Sequence, residues 1–157
     1  MSTEISKGGF EISKGSIDEL LAAQEVVPEL YGGRSEIQMI QRLCQAEHLI
    51  LIARHNKQIA GFKVGYALDN TTFYSWLGGV APDFRRKGLA RLLAERQETW
   101  ARIKGYKRVR LKTRNCFAAM LQFAIGSGFQ IIEVDPRKII KQNRIILEKE
   151  LSNEQKR

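Results

Sequence analysis

A strand that runs out, a turn of three consecutive cations and a glycine, and a helix that starts at once constrain this chain more than anything else in it. They are written in Val80-Ala-Pro-Asp-Phe-Arg-Arg-Lys-Gly-Leu-Ala-Arg-Leu-Leu93. Within that stretch Arg85, Arg86, Lys87, Gly88, Leu89 and Ala90 fit the pattern Arg/Gln-x-x-Gly-x-Gly/Ala. Backbone N–H groups of such a turn converge on one point, and the N-terminus of the helix behind it adds partial positive charge there. Gly88 permits close backbone approach and Ala90 keeps the first helical turn small. The arrangement suits a pyrophosphate.

The rest of the chain supplies the frame. Phe10-Glu-Ile12 alternates as a first strand would. Ser16-Ile-Asp-Glu19 is a capping-box pattern opening a helix through about Val27, stopped by Pro28; Ser35-Glu-Ile-Gln38 opens a second, with Ile37, Ile40 and Cys44 at helical spacing through about Ala46. Residues 49–53, 58–68 and 72–80 read as a three-strand antiparallel meander joined by His55-Asn-Lys57 and Asp69-Asn70. The helix after the basic turn carries Leu89, Leu92, Leu93, Trp100 and Ile103 on one face and ends at Gly105. Residues 108–113 alternate with Val109 and Leu111 inward. In Thr113–Phe129 an Asn opens a helix, Phe117, Met120, Leu121, Ala124 and Ile125 form its stripe, and Gly128-Phe129 closes it. Residues 130–134 and 143–151 are two closing strands, with Pro136 between them. The ends, residues 1–9 and 152–157, are expected to be flexible. The resulting order is β-α-α-β-β-β-α-β-α-β-β.

Composition narrows the function classes. The 157 residues suffice for a single domain with a proper core. No apolar run reaches the ~20 residues of a membrane span, and the N-terminus lacks a hydrophobic signal region, which argues against export. Cys44 and Cys116 make no disulfide framework, so the cytoplasm is the expected compartment. His48 and His55 stand apart from other ligand residues, and no metal site is read. The net charge of +9 is concentrated: residues 85–114 carry twelve Lys/Arg and two acids, +10 in all, and the remainder sums to −1. That stripe is either a solvated face or an electrostatic funnel for a polyanion.

The turn at Arg85–Ala90, the strand before it, the Asn115-to-Phe129 segment and the element order together resemble the Gcn5-related N-acetyltransferase (GNAT) superfamily along nearly the whole chain. The resemblance implies an α/β (α+β) fold whose mixed, mostly antiparallel sheet of about seven strands, with about four helices, splays between strands 72–80 and 108–113. It implies acetyl-CoA as co-substrate, its pyrophosphate on Arg85, Arg86, Lys87, Gly88, Leu89 and Ala90 and its pantetheine arm in the gap. Backbone groups near Leu77 and Val80 would bind that arm and polarise the thioester carbonyl, with Gly78-Gly79 letting the strand bend or bulge. Asn115 is either a CoA contact or a plain helix N-cap. Dimers are common in the family, and nothing in the sequence locates an interface.

Catalysis is less explicit. Aminolysis of a thioester needs a neutral amine, an oxyanion stabiliser and a proton for the departing thiolate. The helix Tyr and strand Glu used by many family members are missing: the corresponding helix reads Leu121-Gln122-Phe123-Ala124. Tyr74 is the candidate catalytic or substrate-contacting group, against a core reading for the same side chain. The thiolate can equally take its proton from water or the amine. Glu36 near the second helix start lines the acceptor site or merely stabilises that helix end. Cys116 reads as a small buried thiol rather than a cofactor contact. The expected activity is transfer of an acetyl group to a primary amine of a small molecule or protein, with the first two helices and the Pro136–Asn143 connection shaping the acceptor site. The alternatives are an acyl-CoA-binding regulatory module without turnover, and a nucleic-acid-binding protein using the basic stripe.

Overall fold

A computed structural model describes residues 4–5, 8–30 and 32–151; the terminal segments expected to be flexible lie mostly outside that range. The strands are β1 (Glu4–Ile5), β2 (Glu11–Lys14), β3 (His48–His55), β4 (Gln58–Ala67), β5 (Thr72–Val80), β6 (Arg108–Arg114), β7 (Gln130–Asp135) and β8 (Arg144–Glu150). The helices are α1 (Ile17–Gln24), α2 (Glu36–Leu43), α3 (Leu89–Lys104) and α4 (Ala118–Gly126). The seven expected strands all form, and the two-residue β1 adds to the edge. One sheet results, ordered β1-β2-β3-β4-β5-β6-β8-β7.

The sheet has an apolar core on each face. Leu20, Ala23, Met39 and Leu43 of α1 and α2 pack on Ile50, Ile52, Phe62 and Val64. Leu89, Leu93 and Ala101 of α3 and Ala124 of α4 pack with Phe73, Val109, Leu111 and Leu147 on the other face. Both predicted capping boxes are present: Ser16 accepts from the Glu19 N–H, and Ser35 accepts from the Gln38 N–H. Helix α3 ends at Gly105, whose φ of +100° is the left-handed region that favours glycine.

The split in the sheet is a matter of register. β5 and β6 are parallel and pair only at Thr72, Tyr74 and the residue between, against Arg108–Arg110. β6 instead pairs along its whole length with β8, from Arg108↔Glu150 to Arg114↔Arg144. From Ser75 onward β5 therefore keeps β4 on one side and has no strand on the other.

Several sequence expectations need correction. The bulge in β5 does not fall at Gly78-Gly79, which stay paired with Lys63 and Phe62; the register skips at Trp76, between Ser75↔Gly65 and Leu77↔Val64. Helix α2 turns Met39 and Leu43 inward, and Ile37, Ile40 and Cys44 are exposed. The helix is only eight residues long, and Met39 and Leu43 carry the face that packs on the sheet. In α3, Ile103 is exposed and its place in the buried face falls to Gln97, Glu98 and Ala101. In α4, Phe117 and Ile125 are exposed. Asn115 is not the N-cap of α4, a position held by Phe117. Its side-chain amide instead donates to the Ile140 carbonyl and its N–H to the Asn143 carbonyl, tying β6 to the connection before β8. Cys116, read as a buried thiol, is exposed, with its N–H donating to the Lys141 carbonyl.

Candidate active site

The turn after β5 is built to leave donors open. Pro82–Phe84 forms one 3-10 turn, Arg85 returns to extended backbone, and Arg86 and Gly88 both take positive φ, +65° and +80°. A non-glycine residue held in that region costs on the order of 1 kcal/mol, and alternation of this kind turns successive N–H groups toward one side. Gly88 is the N-cap of the 16-residue α3 and supplies no side-chain cap, and the first turn of α3 carries no acid. The free N–H groups at this end and the uncompensated helix dipole make an anion site. A Cβ on Gly88 would meet no protein atom within 4 Å, so the cradle is open where a ligand would approach.

Two cavities meet here. One, of about 460 Å3, is lined by Phe84, Arg85, Arg86, Gly88, Leu89 and Arg91. The other, of about 560 Å3, fills the gap between β5 and β6 and includes Ser75, Trp76, Leu77, Gly78, Leu111 and Lys112 in its wall. Val80, Ala90 and Phe123 line both, so the two adjoin as a channel with a cationic end and a largely apolar shaft. Such a channel suits an extended ligand with an anionic head, and the open edge of β5 offers that ligand unpaired peptide groups.

The sequence-predicted residues are not equivalent in place. Arg86, Gly88, Leu89 and Ala90 line the cationic end. Arg85 lines it too, but its guanidinium is committed: Nε donates to the Val80 carbonyl at 2.9 Å and Nη2 to Glu29 at 2.7 Å. Val80 thus has its carbonyl taken and contributes its side chain where the two cavities join. Lys87 is exposed and outside the lining. Leu77 lies in the shaft beside the Trp76 bulge. Asn115 lines neither cavity. Tyr74 occupies the last β5 position paired with β6 and also lies outside the shaft lining. Its ring packs edge-on against Tyr66 at 5.4 Å, with Lys112 Nζ 5.7 Å away. Burial pushes its phenol above the ordinary tyrosine range, Tyr66 pushes the same way, and Arg42, Arg144 and Arg34 oppose them.

Among the channel residues that the sequence does not single out are Arg91, Lys112 and Lys63. Lys63 is the most consequential. Glycines flank it on the α3 face of β4, where a Cβ on Gly61 would meet Leu89 at 3.2 Å and one on Gly65 would meet Gln97 at 3.0 Å. Lys63 Nζ lies 3.6 Å from where a side chain on Gly78 would begin, inside the shaft. Burial pulls its amine down to about 8, with the Glu98 carboxylate acting in the opposite direction. Glu98 is itself held by Lys149 at 2.8 Å. A lysine between two glycines on a strand carries no local signal of this kind.

The basic stripe is partly neutralised by β8. Arg110 pairs with Glu148 at 2.6 Å and Arg108 with Glu150 at 3.2 Å, across the strand register. Among the described residues no group of His, Cys, Asp or Glu is placed to hold a metal ion, and no helix is long and apolar enough to cross a membrane.

The comparisons with known proteins are consistent in kind. The acetyltransferase (GNAT) family model matches residues 16–129. Among solved structures, the ribosomal-protein-S18-alanine N-acetyltransferase from Escherichia coli superposes with a TM-score of 0.78 at 22% identity, covering 92% of this chain and 96% of that one. Ard1 from Thermoplasma volcanium gives 0.78 at 17% identity, covering 92% and 99%. A GNAT family acetyltransferase from Elizabethkingia anophelis, with acetyl-CoA bound, gives 0.75 at 21% identity, covering 92% and 100%. At these identities the likeness is one of fold. Against curated protein sequences the chain finds no match.

Proposed function

The chain belongs to the GNAT acetyltransferase family, and from that premise we propose that it transfers an acetyl group from acetyl-CoA directly to a primary amine of a small molecule or protein. The observation that carries this reading is the continuity of the cationic cradle with the β5–β6 shaft through Val80, Ala90 and Phe123. The residues present fit the co-substrate. The uncapped α3 terminus suits its pyrophosphate and the strandless edge of β5 its pantetheine amides. Relatives of the same fold, such as the Elizabethkingia anophelis protein, have been solved with acetyl-CoA bound.

Bound acetyl-CoA supplies an activated thioester. The backbone N–H groups at Arg86 to Ala90 hold and orient its anionic head, assisted by the Arg86 and Arg91 side chains. Peptide groups of β5 around Leu77, beside the bulge, stabilise charge at a carbonyl oxygen laid along the strand. Phe123 lines both cavities, and the α4 stretch Leu121-Gln122-Phe123-Ala124, which corresponds to the place of the family's helix Tyr, has no hydroxyl and provides no proton. Two groups are left to supply one. Tyr74 has a phenol that burial keeps protonated, and Lys63 has an ammonium inside the shaft whose proton is exchangeable near neutral pH. Lys63 has the access, so we assign it the proton for the departing thiolate, with Tyr74 as the competing donor. Asn115 serves to anchor the Ile140–Asn143 connection.

The test is thermal stability with and without acetyl-CoA at two salt concentrations, followed by thiol release with an amine panel. A ligand that binds only the folded state raises stability by mass action. A shift that survives the higher salt, with amine-dependent thiol release, supports the enzyme. A shift without turnover on any amine turns the reading into an acyl-CoA-binding regulatory module, and no shift removes the cradle assignment.

A further inference from the structure

On the α1/α2 face, two guanidiniums lie over one indole. Arg34 sits 4.8 Å and Arg42 5.1 Å from the centre of the Trp76 ring. Trp76 is the bulged residue of β5 and lines the acetyl-CoA shaft. It also lines a separate cavity of about 270 Å3 whose other residues are Arg34, Gln38, Gln41, Arg42 and Gln45. One ring is thus the wall between the shaft and a pocket of two cations and three carboxamides.

Both arginines are held by built features. The side chain of Gln24, 2% exposed, donates to the Arg34 carbonyl at 3.0 Å and accepts from the Arg34 N–H at 3.3 Å, pinning the loop that presents the guanidinium. Arg42 donates from Nη1 to the Tyr66 hydroxyl at 2.9 Å, and the Tyr66 ring packs edge-on against Trp76. Among the described residues no carboxylate pairs with either guanidinium. None lines this pocket or the shaft, while Lys63 and Lys112 line the shaft. Like charges held together over one ring, with donors unspent, favour a bidentate oxyanion more than any other ligand. The same field lowers the pKa of an amine brought beside it, which raises its neutral, nucleophilic fraction.

We propose that Arg34, Arg42 and Trp76 form the acceptor-recognition site and that the acceptor is an amine carrying a carboxylate close to its nucleophilic nitrogen. This rests on the acetyltransferase reading above and narrows its substrate class. The carboxylate binds the two guanidiniums while the nitrogen reaches past Trp76 into the shaft. Polyamines and lysine-rich segments are rejected by the same cations. The carboxylate has two sources, the α-carboxyl of a free amino acid or an acidic side chain at a peptide N-terminus.

Isosteric pairs separate these outcomes in the full-length protein. Glycine is compared with glycinamide, an Asp-initiated peptide with its Asn-initiated counterpart, and spermidine serves as the cationic control. The carboxylate member of at least one pair is expected to be preferred at least tenfold in kcat/KM, and which pair shows it identifies the source. Arg34→Ala and Arg42→Ala should each reduce the preference about tenfold through KM, and Arg42→Glu should invert it. Each variant's thermal shift with acetyl-CoA should be retained, which shows that it is folded and that its donor site is intact. Equal use of both members of each pair, a preference for spermidine, or retained preference in the arginine variants overturns the proposal. Quenching of Trp76 emission, in a Trp100→Phe background, by N-acetylglycine but not N-acetylglycinamide reads the clamp without turnover. If wild type shows no acetyl-CoA shift yet this quenching occurs, the acetyltransferase reading fails and the anion site stands; if neither occurs, both fail.

Discussion

Arg85 closes the turn back onto the strand it leaves: its Nε donates to the carbonyl of Val80, five residues earlier, at 2.9 Å. The same guanidinium reaches Glu29, so one side chain ties the cradle, the end of β5 and the turn after α1 together. An arginine that reads in the sequence as a phosphate contact is thus a positioning residue.

Arg85→Ala and Arg85→Lys should therefore both weaken acetyl-CoA by about five- to twentyfold, because a lysine cannot make both bonds at once. Titration calorimetry checks this. A loss in the alanine variant fully restored by lysine would mean that only the positive charge matters.

Gly88 carries the backbone demand of the cradle. At φ +80° with open space around its Cβ, Gly88→Ala should cost about 1 kcal/mol of stability through conformation alone. Gly88→Glu should add charge at the anion site and abolish the acetyl-CoA thermal shift while the apo protein stays folded. Unchanged affinity in Gly88→Glu would end the cradle assignment.

Lys63 gives a pH signature in stability. Its amine titrates near 8 in the fold and near 10.5 when unfolded, and burial is the main cause. Below pH 8 both states carry the proton and the folded protein bears the full cost of burying it. Between pH 8 and 10.5 the unfolded state binds more protons, so stability rises with pH. Lys63→Met should accordingly be more stable than wild type by about 2 kcal/mol at pH 7, allowing for the partial exposure of Lys63, with the gain fading toward pH 10.5. Denaturant melts at pH 7 and 10 measure it. Glu98 remains paired to Lys149 in the variant.

The same residue separates the two proton donors. Lys63→Met should lower kcat on the order of 10²-fold and remove the alkaline limb of the kcat profile, whereas Tyr74→Phe should change kcat less than about threefold. The reverse pattern would give the role to Tyr74.

Gln24→Ala should cost about 1–2 kcal/mol, since it strips a buried side chain from two backbone partners at Arg34. Thermal melts measure it, and neutral behaviour would show that the loop before α2 is held by other contacts.

Much of the local chemistry was legible, although the β5 bulge fell at Trp76 rather than Gly78-Gly79 and the α4 cap at Phe117 rather than Asn115. The Ser16 and Ser35 capping boxes, the Gly105 stop, the alternation of β6 and the glycine turn before α3 each depend on neighbours within a few residues, and each stands where the residues place it. Helix rotation was less legible. Ile37, Ile40 and Ile103 satisfy a helical stripe on paper, yet the inward face is set by the sheet each helix packs against, and Met39, Leu43 and Ala101 win it.

The sequence by itself determined the order of elements and the glycine turn before α3, because those follow from period, capping and backbone freedom along the chain, and its motifs carry the family resemblance that the family model over residues 16–129 bears out. Only the tertiary structure decided which charges matter. Register placed Glu148 and Glu150 against Arg110 and Arg108, and the Val80 carbonyl claimed Arg85. Lys63 was brought under Gly78, and Arg34, Arg42, Tyr66 and Trp76 were gathered from three elements and a loop. A charge takes its role from what stands within a few ångströms of it, and residues far apart in the chain reach that distance only through strand pairing and helix packing.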